Sequence, residues 1–339
     1  MSRQGNETLK PESWAWHLMG LINPILVILC NLEGDWWVFG GLVFVLGVGP
    51  FLDLALGKAR TPRPPRASGL PFEILLYVHA TLQFIALAAL FYRAGIDGNA
   101  WTSWIAALST GLTSGVSGII VAHELGHKRP GSSGWWIGRL NLLSVLYLHF
   151  TTEHNYTHHK LVATSEDPAT AFFGESLWAF ILRTIPGQYL DAISIHERKG
   201  KKALKNPVIQ GSIIQVTLLV MIYIFFDSAV LGTFVLQAGF AIFLLEYINY
   251  IRHYGLKREL DERQTESHSW QAEERWSRWT LLELTRHPAH HLKASEPFWK
   301  LQPFESAPQL PTGYYGCFWL GVIPPLWKKI MHPRILKAL

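Results

Sequence analysis

The chain has 339 residues, enough for two or three soluble domains by length alone. Hydrophobic residues make up 49% and charged residues only 16%, with 15 tryptophans, so there is more apolar surface than one globular core can bury and lipid must cover the rest. The net charge of +5 falls in particular loops between apolar runs, which is the pattern of membrane topology and excludes a nucleic-acid-binding face.

The first dozen residues are polar, with neither a basic leader region nor an A-x-A cleavage site, so the first apolar run, about 14–32, reads as a retained span. Further runs lie at about 36–56, 71–92, 104–126, 209–226 and 228–250. Each approaches the ~20 residues that cross a bilayer core. The expected fold is therefore an all-α integral membrane protein with six transmembrane helices, one membrane-bound domain over 1–339.

Loop charges set the direction. Glu33-Gly34-Asp35 carries no cation, and the loop holding Lys58, Arg60, Arg63 and Arg66 is basic. The third loop has one arginine, Arg93, facing Asp97, whereas 128–208 is long and rich in lysine and arginine. The positive-inside rule puts both termini, loop 57–69 and segment 128–208 in the cytoplasm. Span four carries Gly111, Ser114, Gly115 and Gly118 at helical spacing, read either as a close helix contact or as small residues tolerated against lipid. Apolar stretches at 135–152 and 318–327, the latter broken by Pro324-Pro325, read as re-entrant or interfacial helices.

Under this topology four histidine clusters share the cytoplasmic side, giving a metal region over 123–208 and 251–339. They are His123 and His127 in H-E-L-G-H, His154, His158 and His159 in H-N-Y-T-H-H, His253 in R-H-Y-G, and His287, His290 and His291 in R-H-P-A-H-H. Imidazole suits a divalent transition metal in mixed polar and apolar surroundings. On an α-helix His123 and His127 share a face, as do His154 and His158. Adjacent imidazoles without a metal repel when protonated and are costly to desolvate. Isolated His17, His79, His149, His196, His268 and His332 read as ordinary hydrogen-bonded residues. Eight or nine nitrogens exceed what one zinc uses and suit two iron ions, each keeping a position for dioxygen, although manganese or copper also fits the spacing.

Glu246, Asn249 and His253 follow at i, i+3 and i+7, a polar face at membrane depth that marks Glu246 and Asn249 as candidate catalytic residues. Glu246 is expected to orient a ligand imidazole, as are Glu153 and Asp167. The two cysteines, Cys30 and Cys317, form no C-x-x-C pair, and no G-x-G-x-x-G fingerprint occurs, so electrons for any redox step must come from another protein.

At these boxes the sequence resembles the membrane di-iron alkane 1-monooxygenases, within the fatty-acid desaturase and hydroxylase superfamily. The matching stretches are H-E-L-G-H-K at 123–128, E-H-N-Y-T-H-H at 153–159, N-Y-I-R-H-Y-G-L at 249–256 and R-H-P-A-H-H at 286–291, with P-F-L-D at 50–53 and P-P-L-W at 324–327. The resemblance implies all nine clustered histidines as iron ligands. It also implies terminal hydroxylation of an alkane with O2, electrons from rubredoxin and its reductase, and a place in the bacterial inner membrane.

Tyr156-Thr157 stands where such enzymes tend to have Arg-Gly, Pro288-Ala289 where Ser-Asp is usual, and Gln271 opens a stretch expected to contain asparagine. None removes a ligand. They bear on chain length and on whether hydroxylation, desaturation or decarboxylation results. Action on fatty acids or alkyl-aromatics is the nearest alternative, and a zinc metalloprotease using H-E-L-G-H with Glu124 as base is a third. A substrate tunnel lined by Phe44, Phe51, Phe72, Leu76 and Phe84 is expected, with Lys128, Arg129, Arg139 and Lys160 available to dock an acidic electron carrier.

Overall fold

The structure, a computed structural model, describes residues 10–59, 61, 62, 64 and 68–338; Arg60, Arg63 and Arg66 of the basic loop lie outside the described residues. Among the described residues six helices are long and apolar enough to cross a membrane: α1 Trp14–Glu33, α2 Asp35–Leu56, α3 Leu70–Asp97, α4 Trp101–Gly126, α8 Pro207–Phe225 and α9 Ser228–His253. The shorter helices are α5 Ser133–Leu143, α6 (Phe150–Glu153, His154–His158 and His159–Leu161), α7 Leu177–Arg198, α10 Arg275–Thr280, α11 His287–Leu292, α12 Tyr314–Gly321 and α13 Pro324–Ala338. Among the described residues the only extended pairings are the isolated bridges Lys58–Glu274 and Gln271–Gln309. All six expected spans are present, and the protein is an integral membrane protein.

Helix starts follow side-chain capping, in which an oxygen accepts from an otherwise orphaned backbone N–H. Ser132 caps α5, Ser176 caps α7, Asn206 caps α8 just ahead of Pro207, and Asp227 caps α9. Span three runs further than expected, to Asp97, where Gly98 at φ +57° ends it. Arg93 thus lies inside a helix, where it donates to the carbonyls of Asn31 (2.8 Å) and Leu32 (2.6 Å) and to Asp97 (3.1 Å). It closes the C-terminus of α1.

The spans are glued by small and polar residues, as lipid-embedded helices require. A methyl on Gly111 would sit 3.0 Å from the Gln237 carbonyl oxygen, so α4 and α9 touch there through the glycine. Beside it Gln83 donates to Ser114 (2.9 Å) and Ser144 (3.0 Å), and Ser114 donates to Gln237 (2.7 Å). Span α8 is the outlier. It is apolar all round and mostly uncovered by protein, as a lipid-facing helix is.

One element differs from expectation. Helix α7 was not foreseen: its polar residues Thr184, Gln188 and Asp191 interrupt the apolar run, yet Thr184 and Gln188 are fully buried. The 318–327 run breaks at Pro324 as expected, and α13 then buries Trp327, Met331 and Ile335.

Three helical stretches are wound as π-helix: Val43–Val48 in α2, Ser114–Ile120 in α4 and His154–His158 in α6. Such turns are uncommon and concentrate at functional sites. Here each contributes residues to one cavity.

Candidate metal centre and its cavity

The nine clustered histidines converge on two groups. His123, His127, His154, His159 and His290 form one, and His158, His253, His287 and His291 the other, with one nitrogen from each residue lying within 4.8 Å of the others in its group. In the first group Nε2 atoms stand 2.9 Å apart for His123 and His290, 3.1 Å for His290 and His159, and 3.0 Å for His159 and His154. In the second the spacings are 3.0 Å for His253 and His287 and 2.8 Å for His287 and His291.

Local winding decides the sorting. In α6 the π turn stacks residues five apart, so His154 meets His159 and turns His158 to the other group. Sequence spacing, read as α-helical, had paired His154 with His158 instead. In α11 the i, i+4 pair His287 and His291 serves one group while His290 serves the other.

This arrangement fits metal ions. A neutral imidazole has one donor and one acceptor nitrogen, and a buried nitrogen left unpaired is costly. The Nε2 atoms of His127 and His158 are buried without a hydrogen-bond partner, and the Nε2 atoms of the other clustered histidines crowd against one another. Nitrogens about 2.1 Å from a shared ion stand about 3 Å apart when adjacent, close to the spacings seen. Burial first, with neighbouring charges after it, holds His154, His159, His287, His290 and His291 well below the ordinary histidine value, and burial lowers His127 to about 4. All six are neutral at pH 7, as ligation requires.

A carboxylate and a carbonyl orient rings from behind. His158 Nδ1 lies 2.8 Å from Asp167, which also accepts from Thr170 (2.7 Å). His253 Nδ1 faces the His268 carbonyl at 3.4 Å. Replacing Asp167 by asparagine should lower metal affinity and activity by roughly 10–100-fold, the usual cost of losing such a partner. Metal retention during chelator titration checks this; unchanged retention would remove Asp167 from the role.

Glu246 and Glu153 behave differently from expectation. Glu246 accepts from Gln188 (2.9 Å), Tyr147 (3.1 Å), Asn249 (3.2 Å) and Thr184 (3.4 Å), and no imidazole is among its hydrogen-bond partners. Thr184, Gln188 and Tyr147 went unnoticed in the sequence, although polar residues at i and i+4 in an apolar stretch are a signal. Glu153 is buried beside His154, and one of its oxygens has no partner. Burial, then the nearby Asp167 and Glu246, pushes its carboxyl well above the usual range.

A second unforeseen set holds α11. Arg286, next to His287, pairs with Glu273 (2.9 Å), and Arg278 pairs with Glu283 (2.8 Å) and Glu12 (2.7 Å). Leu282 and Glu283 take φ values of +52° and +55°, a left-handed turn that bulky residues adopt only when their surroundings enforce it. His17 reaches the same Glu283 at 3.1 Å. His79 bonds Ser117 (2.9 Å) and His332 bonds Tyr254 (3.1 Å), so these three isolated histidines are hydrogen-bonded residues.

Against the first group lies a cavity enclosing about 780 Å³ of space between the atoms, its open side included. His123, His154 and Asn249 belong to its wall, and the rest is mainly apolar, including Val45 and Leu46 of one π turn and Val116, Ile119 and Ile120 of another. None of the five expected lining residues takes part. Phe51 and Phe84 face outward, Phe72 and Leu76 are packed in the core, and Phe44 stacks edge-on against Trp276. In helices apolar all round, composition cannot separate the lipid face from the cavity face.

Residues 99–321, more than half of the chain, match the model of the fatty acid desaturase family. The chain is similar to the alkane 1-monooxygenase of Pseudomonas putida, at 32% identity over 96% of this chain and 86% of that protein. It is also similar to alkane 1-monooxygenase 2 of Alcanivorax borkumensis, at 34% over 94% and 89%. A shorter match, 32% over 65% and 61%, is to the hydroxylase component of a xylene/toluene monooxygenase from Pseudomonas putida. Membrane spans, paired histidine groups and these relatives agree: the chain is an oxidoreductase that belongs to the alkane 1-monooxygenase family, within the fatty acid desaturases.

Proposed function

We propose that this chain, acting as one membrane unit over 1–339, hydroxylates the terminal methyl of an alkane, using dioxygen and electrons from rubredoxin. Two irons held by His123, His127, His154, His159 and His290 on one side and His158, His253, His287 and His291 on the other would serve it. The observation that carries this reading is the meeting of the first histidine group with a mainly apolar cavity. Iron bound there would supply the activation of dioxygen and the oxidation of the C–H bond.

The chain's own residues do the rest. The apolar wall strips water from an alkyl chain and holds it in place. Glu246 fixes the Asn249 carboxamide in that wall through a 3.2 Å hydrogen bond, and Asp167 fixes His158. The basic loops support a centre on the cytoplasmic side of the membrane, taken here as a bacterial inner membrane, where a soluble donor would reach it. Arg129 and Lys160 are exposed and suit an acidic carrier, whereas Arg139 is tied inward to the Leu148 carbonyl.

A zinc protease reading leaves seven clustered histidines unexplained. Purified protein given rubredoxin, rubredoxin reductase, NADH and dodecane should form 1-dodecanol. No alcohol from dodecane, with turnover of a fatty acid instead, would overturn the alkane assignment.

A further inference from the structure

Arg252 is the only lysine or arginine in the cavity wall. It is 3% exposed, yet among the described residues no carboxylate pairs with it. Its neighbours are neutral: Nη1 is 3.5 Å from His287 Nε2, the guanidinium hydrogen-bonds the Tyr314 side chain, and Nε has no hydrogen-bond partner. The other buried arginines are all satisfied. Arg278 and Arg286 have glutamates, Arg93 has carbonyls and Asp97, and Arg258 has the Val162 and Glu262 carbonyls. A buried guanidinium facing an open apolar space with no counter-charge is costly unless an anion joins it.

We propose that the cavity binds free long-chain carboxylic acids head first, with the carboxylate on Arg252. One guanidinium matches one carboxylate in charge and in its planar pair of donors. The apolar remainder of the cavity accepts the alkyl chain. Bound this way, an acid sets its carboxyl end beside the histidine groups and excludes an alkane from the same space. The inference rests on the proposed function only in treating this cavity as the place where the alkane sits.

The test is calorimetric titration of the full-length, metal-loaded protein in non-ionic detergent with dodecanoate, methyl dodecanoate and 1-dodecanol. Dodecanoate should bind at least ~10-fold more tightly than its neutral ester, as a charge-assisted pair implies. Arg252→Gln should bring acid and ester to within about twofold, and Arg252→Lys should keep part of the preference. Equal affinity for acid and ester in the native protein overturns the proposal, and so does a folded Arg252→Gln variant that keeps the full preference. If that variant does not fold, the native comparison still decides.

Dodecane turnover is measured on the same preparation. Turnover without acid preference refutes only the carboxylate site. Acid preference without turnover refutes only the alkane assignment.

Discussion

Under the proposed di-iron reading, purified His287→Ala protein should hold about one iron per chain where the native protein should hold two, and dodecane hydroxylation should fall by more than ~100-fold. The loss exceeds the 10–100-fold typical of partners behind a ligand, because a ligand itself is removed. His287 stands at the middle of the four-histidine group, 3.0 Å from His253 and 2.8 Å from His291. Its removal leaves three nitrogens where four converged, while the five-histidine group keeps its full set. Elemental analysis beside product assay checks both halves. Full iron content with native turnover would remove His287 from the centre, and a single zinc in the native chain would remove iron altogether.

The second large effect is on stability. Glu283→Ala should destabilise the protein by about 3–5 kcal/mol, the usual cost of stranding one partner of a buried ion pair. Burial alone would raise the Glu283 carboxyl, but Arg278 and Arg286 outweigh it and hold it well below the usual range. Both its oxygens accept from Arg278, at 2.8 and 2.9 Å, and one also meets His17 at 3.1 Å. Removal takes two of the three carboxylate hydrogen bonds of Arg278, leaving it Glu12 at 2.7 Å, and frees the left-handed Leu282–Glu283 turn ahead of α11. By contrast, Glu259→Ala breaks only an exposed pair with Lys257 and should cost about 1 kcal/mol or less. Unfolding midpoints of the two variants in one detergent compare them directly; similar midpoints would show that the buried network carries no special weight.

What could be read in advance divides along physical lines. The six spans were legible because crossing hydrocarbon needs a long apolar run, and nothing else in the chain produces one. The nine histidines were legible because clustered imidazoles are hard to explain without a metal. Their division into five and four was not, since it depends on a π turn in α6 that residue types do not announce. The role of Glu246 was misread for a related reason: its partners Gln188 and Thr184 sit on α7, a helix with no clear apolar run. Asp167, only nine residues from His158, was within reach of local reasoning. Glu283 and Arg278 were not, because their importance comes from burial.

The π winding of α4 has a consequence for angular phase. A π turn holds one residue more than the α turn it replaces. Winding the same residues as α instead would rotate its C-terminal segment by about 100° relative to its N-terminal segment, whereas deleting one residue within Ser114–Ile120 would let the turn close as α with the two segments still in phase. His123 and His127 lie directly downstream. The π winding therefore acts as a phase correction: it absorbs one residue, so that the upstream half of the helix shows Gly111 to α9 while the downstream half aims two imidazoles at the other histidines.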